Sequence, residues 1–254
     1  MTITLLQQDI AWGNPQANQK AAAEAILSAP KSDLYVLPEM WSTGFATEPE
    51  GLAESNGASL QFMKQMADRM DAAIAGSIAT EEGGRFYNRF YFVKPGDDHP
   101  AYYDKHHLFT YGGEHHRYTA GSERVIVEWR GVRFLLQVCY DLRFPIFARN
   151  AAEGPDAYDV ALYVASWPAS RRAPWDTLLR ARAIENQCYV CGVDRVGSDP
   201  ACQYNGGTVI IDAYGRTMAA CPDGEVSAIT AEIDMPALTA FRKKFPVLGD
   251  RDLL

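Results

Sequence analysis

The stretch Gly131-Val-Arg-Phe-Leu-Leu-Gln-Val-Cys139-Tyr-Asp-Leu-Arg-Phe-Pro145 runs an apolar segment into a lone cysteine and then into a turn. Val132, Phe134, Leu135, Leu136 and Val138 form a nearly continuous apolar run, the pattern of a strand covered on both faces. On such sheets reactive groups collect at strand ends, where loops make a polar pocket over a rigid floor. Taken alone, Cys139 reads as an inert core thiol. Two other strand-like runs change that reading, because each ends on a charge that a core would not choose. Asp33-Leu-Tyr-Val-Leu-Pro-Glu39 delivers a carboxylate, and Ala101-Tyr-Tyr-Asp-Lys105 delivers an ammonium. A base, an oxyanion partner and a thiol nucleophile at three strand ends are the parts of an amide-cleaving site.

Working outward, Asn14-Pro15 reads as a helix N-cap and first turn after a strand at Ile3 and Leu5. Phe62, Met63, Met66 and Met70 fall at helical spacing and predict a scaffold helix. Ala72 to Ala79 and Phe86 to Val93 predict a hairpin across Glu81-Glu-Gly-Gly-Arg85. Beyond Cys139 the pattern predicts a short helix around Phe147 to Ala152, a strand from Val160 to Ala165, and a helix carrying Leu178, Leu179, Ala183 and Ile184. A strand from Tyr189 to Val193, strands near Thr208 to Asp212 and Val226 to Ile233, and a helix from Pro236 to Phe245 complete the chain.

The 254 residues show no linker and predict one domain, residues 1–254. No apolar run reaches the ~18 residues of a membrane span, and the start has no basic n-region, so a cytoplasmic location is the default. A formal charge of −8 disfavours nucleic acid and anionic membranes as partners. Five cysteines fit a reduced compartment better than a disulfide framework. Cys188 and Cys191 point to opposite faces of a predicted strand, which excludes a shared metal. The pairs His106-His107 and His115-His116 diverge and lack a carboxylate-rich companion, so no metal and no cofactor are expected.

Leu-Pro-Glu39, Tyr-Asp-Lys105 and Val-Cys139-Tyr-Asp-Leu-Arg-Phe-Pro resemble the three signature segments of the nitrilase superfamily of carbon–nitrogen hydrolases. Gly113-Glu114, Ala120-Gly121, Ala165-Ser-Trp-Pro, Arg182-Ala-Ile-Glu-Asn-Gln and Asp212-Ala-Tyr-Gly are similar to its further landmarks, in the same order. The Trp41-Ser-Thr-Gly-Phe45 loop and the Arg-Ala-Ile-Glu-Asn-Gln run are most like the omega-amidase branch. The resemblance implies an α/β fold, a four-layer α-β-β-α sandwich, and a homodimer. It implies Cys139 as nucleophile, Glu39 as acid–base, Lys105 with the Tyr140 backbone N–H on the oxyanion, and Glu114 orienting Lys105. It implies a small-molecule amide as partner: the ω-amide of a short dicarboxylic acid, with an N-carbamoyl compound or a nitrile as the alternative substrate, and a non-enzymatic module disfavoured by the intact Glu39, Lys105 and Cys139. Nearby, Phe45, Tyr111 and Trp167 are candidate pocket walls. Arg171 and Arg172 are candidate clamps for a substrate carboxylate. Arg143 reads as one half of a structural ion pair, with a substrate clamp as the alternative, and the Lys105 ammonium is expected to favour the Cys139 thiolate.

Overall fold

The computed structural model describes residues 1–250. Its first half runs β1 (Thr2–Gln7), α1 (Pro15–Ser28), β2 (Leu34–Val36), α2 (Ala58–Met70), β3 (Ala73–Glu82), β4 (Arg85–Val93) and β5 (Ala101–Asp104). Next come β6 (Ile126–Trp129), β7 (Val132–Val138), β8 (Val160–Ala165), α3 (Arg172–Asn186) and β9 (Tyr189–Asp194). The chain continues with β10 (Val196–Ser198), β11 (Gln203–Asn205), β12 (Val209–Ile211), β13 (Thr217–Ala220), β14 (Ser227–Glu232) and α4 (Met235–Lys244).

Local chemistry sets these elements. Asn14 caps α1 by accepting the Ala17 N–H at 3.1 Å, and Pro15 occupies the first turn, where a missing N–H costs nothing. Gly83 and Gly84, both with positive φ, make the β3–β4 turn; the strands run up to them, so the connection is shorter than the predicted Glu81–Arg85 loop. The helix expected around Phe147 to Ala152 does not form. A 3₁₀ turn at Cys139–Arg143 lies directly on the end of β7 instead, followed by Pro145 and irregular backbone.

Two six-stranded sheets result, in the orders β14-β1-β2-β3-β4-β5 and β13-β12-β9-β8-β7-β6. The pairs β1–β2 and β2–β3 are parallel, as are β7–β8 and β8–β9. The sheets face one another across a single buried cluster that takes Leu5, Val36 and Phe92 from one and Phe134, Leu162 and Val193 from the other. Behind the first sheet, Ala22 and Ile26 of α1 and Met63 and Met66 of α2 bury against Leu6, Tyr35 and Ile74. Behind the second, Trp175, Leu179 and Ala183 of α3 cover Leu135, Tyr163 and Val190. The order of layers is α-β-β-α. Trp41, four residues before the candidate wall Phe45, belongs to the outer cluster and packs 5.3 Å from the Phe62 ring. Cys191 enters the inter-sheet core and Cys188 the outer one, so the two thiols face opposite ways.

Candidate active site

β4 is antiparallel to both β3 and β5, so β5 points the same way as β2 and β3. The carboxyl ends of β2 and β5 therefore lie at one edge of their sheet. In the facing sheet β7, β8 and β9 also end together. This topology brings Glu39, Lys105 and Cys139, distant in sequence, to one end of the sandwich. Cys139 is the first residue past β7 and has φ +46°. A left-handed backbone costs an L-residue roughly 1–2 kcal/mol, and here it turns the chain from strand into 3₁₀ turn in one step. The Tyr140 amide follows in that first turn, where N–H groups have no acceptor within the helix.

The charges beside the thiol form one closed network. Lys105 Nζ donates to Glu39 Oε1 at 2.9 Å and to Glu114 Oε2 at 2.9 Å, and all three side chains are fully buried. Glu39 Oε2 accepts the Ser166 N–H from the opposite sheet at 2.8 Å. Glu114 Oε2 also accepts the Phe109 N–H at 2.6 Å. Asn88 Nδ2 bridges both carboxylates, 2.8 Å from Glu39 and 3.1 Å from Glu114. Burial alone would push the Lys105 ammonium toward its neutral form, but Glu114 and Glu39 outweigh it and its pKa rises well above the usual lysine range. Burial also raises the Glu114 carboxyl, against the pull of Lys105.

Lys105 pulls the Cys139 thiol toward the thiolate, as expected, but other influences outweigh it. Burial, joined by the negative charge of Glu39, pushes the Cys139 thiol well above the usual cysteine range, and Lys105 does not reverse it. Burial is the larger cause, and the charges do not offset it because one ammonium faces the two carboxylates Glu39 and Glu114. A thiol at rest with a carboxylate in its field calls for proton removal during the reaction.

A cavity of about 580 Å³ opens over Cys139 and Tyr140, lined among others by Phe45, Phe109, Arg143, Trp167 and Arg171. The Phe45 ring lies 5.3 Å from Lys105 Nζ, and Tyr111, 85% exposed, stands at the rim. Trp167 is buried, with its indole N–H on the Arg171 carbonyl at 2.7 Å. Arg172 does not line this cavity: Asp176 at 2.7 Å and Asp223 at 2.8 Å hold its guanidinium, which removes it as a clamp. Arg143 is the converse correction. It makes no ion pair among the described residues; it is exposed, 5.0 Å over the Trp167 ring on the cavity wall. Arg171 likewise has no carboxylate partner among the described residues and lies over the Phe109 and Tyr111 rings at 5.4 and 5.8 Å.

Two contributors went unseen in the sequence. Asn88 sits inside the aromatic strand Arg85–Val93, and an amide in such a run, where Asn is disfavoured, was the available signal. Asp194 ends β9 fully buried and accepts the Trp167 and Arg195 N–H groups, each at 2.8 Å. It thereby fixes the loop that turns the Ser166 amide toward Glu39, and burial pushes its carboxyl well above the usual range.

Residues 2–243 match the model of the carbon-nitrogen hydrolase family. The chain is 45% identical over 253 residues to an omega-amidase, YafV, of Yersinia enterocolitica, covering 99% of this chain and 97% of that one. It is 37% identical over 256 residues to a 2-oxoglutaramate amidase of Bacillus subtilis, covering 98% and 96%. Among solved structures, a CN-hydrolase superfamily protein of Xanthomonas campestris, crystallised with an arsenic adduct in its active site, superimposes with a TM-score of 0.95 at 40% identity, over 100% of this chain and 98% of that one.

Proposed function

The chain belongs to the carbon–nitrogen hydrolase family and is an amidase acting on linear amides, and from that premise we propose that its substrate is the ω-amide of a short 2-oxo dicarboxylic acid, such as 2-oxoglutaramate or 2-oxosuccinamate. The observation that carries the proposal is the pairing of a buried Glu39–Lys105–Glu114 cluster beside Cys139 with Arg143 and Arg171, two guanidiniums without carboxylate partners among the described residues, on the wall of the same cavity. An acid amide needs that pair of features: an amide-cleaving floor and a cationic clamp for its far carboxylate.

Two acids also line the cavity, Glu48 and Asp199. Glu48 is engaged with Arg117 at 3.0 Å, and Asp199 holds the Ala201 and Cys202 N–H groups and the Tyr204 hydroxyl. Neither acid pairs with Arg143 or Arg171, so a substrate carboxylate finds two open arginines.

Glu39 takes the thiol proton as the sulfur attacks the amide carbon. The oxyanion is held by Lys105 Nζ and the Tyr140 amide, Glu39 returns the proton to the departing ammonia, and a Cys139 thioester remains. Water, deprotonated by Glu39, then releases the acid. Glu114 and Asn88 keep the Lys105 ammonium aimed while charge moves.

The test is ammonia release across 2-oxo acid ω-amides, N-carbamoyl compounds and nitriles. The ω-amides are expected to turn over with the highest kcat/KM; carbon dioxide released along with ammonia from a carbamoyl compound at a higher kcat/KM would replace this reading with the carbamoyl one. The same reading takes the chain as one domain, a cytoplasmic enzyme and a homodimer. Five free cysteines support the reduced compartment. Exposed Ile184, Tyr214 and Phe245, with the Phe241 ring 4.1 Å from Tyr214, offer an apolar face for a second copy, which sedimentation checks.

A further inference from the structure

Asp141 lies two residues past Cys139, does not line the cavity and is fully buried. Its carboxylate gathers four donors. Oδ2 accepts the Val138 N–H at 2.9 Å and the Tyr103 hydroxyl at 2.8 Å; Oδ1 accepts the His107 N–H at 3.0 Å and faces His107 Nδ1 at 2.8 Å. Because the oxygen facing Nδ1 is an acceptor, Nδ1 carries the hydrogen. The origin of these donors is what matters. Val138 immediately precedes Cys139, while Tyr103 and His107 flank Lys105 by two residues on either side. One buried carboxylate thus ties the backbone of the nucleophile, on one sheet, to the segment that carries the ammonium, on the other.

The imidazole is held as firmly as the carboxylate. His107 lies flat on Phe144, with centroids 3.8 Å apart and planes 4° from parallel, and Phe144 meets the Tyr140 ring edge-on at 5.1 Å. His106 stacks on Phe147 at 4.4 Å and bonds the Gly121 carbonyl at 2.7 Å, while its backbone N–H donates to the Tyr103 hydroxyl at 2.9 Å. The His106-His107 pair therefore belongs to a packed joint between the two strand ends, and neither ring enters the cavity.

We infer that the His107–Asp141 pair is a positioning device that sets the placement of the Cys139 thiol and the Tyr140 amide against Lys105 and Glu39. It rests on the amidase reading above and deepens it: oxyanion binding by one donor from each sheet requires the sheets to be held in register at this end, and misplacing a reacting group by about 1 Å costs about 10²-fold in rate.

The experiment compares His107→Leu, which removes the Nδ1 donor, with His107→Asn, whose short amide places an N–H where Nδ1–H stands. The expected result for His107→Leu is a fall in kcat of about 10- to 100-fold, with KM changed less than about 3-fold because Arg143 and Arg171 are untouched, and recovery to within about 3-fold of wild type for His107→Asn. Rates are expressed per folded molecule, counted by near-ultraviolet circular dichroism. The rate of Cys139 alkylation by iodoacetamide is followed in parallel. It needs no substrate, so it reports on positioning even if the preferred amide differs from the one proposed. It should slow in His107→Leu, which loses Glu39 as proton acceptor for the sulfur, and recover in His107→Asn. Unchanged kcat and alkylation per folded molecule in His107→Leu, or equal impairment of both variants, overturns the inference. If His107→Leu does not fold, Tyr103→Phe removes a donor on the other carboxylate oxygen and must lower both rates, by at least about 3-fold, for the inference to stand.

Discussion

The guanidiniums are the residues on which substrate choice turns. A desolvated arginine–carboxylate bond contributes about 1.5–3 kcal/mol, so Arg143→Ala and Arg171→Ala are each expected to lower kcat/KM for the acid amide by about 10- to 100-fold. An uncharged amide of equal length should lose much less. Arg172→Ala is the internal control, since Asp176 and Asp223 already occupy that side chain; its kcat/KM should stay within about 2-fold. Glu39→Gln keeps the shape and removes the proton acceptor, and kcat for the best amide should fall at least ~10²-fold, the usual scale for general acid–base work. At this scale the sequence was informative where a charge interrupted an apolar strand end, as with Glu39 and Lys105, which changed the reading of Cys139. It misled where charge alone had to decide a partner: Arg143 and Arg172 have the same side chain, and only the fold determines that acids are within reach of Arg172 and an indole face within reach of Arg143.

Between the elements, the loop from His106 to Ser122 does more than connect. It brings Glu114 back under Lys105 and closes against β5, where the Gly121 N–H donates to the Lys105 carbonyl at 3.0 Å. A Cβ on Gly121 would run into the Asp104 carbonyl oxygen. Gly121→Ala is therefore expected to lose about 1–3 kcal/mol of stability, by chemical denaturation, and to lower kcat more than KM because the strand end that carries Lys105 must shift. The long elements were legible because their apolar periods are long: α1, α2, α3, β7 and β8 fall where the pattern put them. Among the short strands β2, β5 and β12 were legible too, as apolar or aromatic runs, but four others were not. β6, β10, β11 and β13 are specified by the strands they pair with. The helix expected around Phe147 is displaced because Asp141 and the elbow at Cys139 consume the turn earlier.

For the molecule as a whole, burial of thiols sets an alkaline limit. Burial pushes Cys188 up to about 12 and Cys221 up to about 11, whereas an unfolded cysteine ionises near ~8.5. Between those values the unfolded chain has released its protons and the folded one has not, so their contribution is fully present below about pH 8.5 and is lost as pH rises through the folded values. Tm is expected to fall from about pH 9 upward, and Cys188→Ala to flatten that fall. Acidity also governs what leaves. Hydrolysis converts a neutral carboxamide into a second carboxylate beside Glu39 and Glu114, which already share the Lys105 ammonium, in a chain of formal charge −8. The newborn anion meets like charge at the floor, and only its far end keeps an arginine clamp. The cluster that binds the amide thus repels the acid made from it, so the diacid is expected to inhibit poorly and to leave without a moving part to expel it.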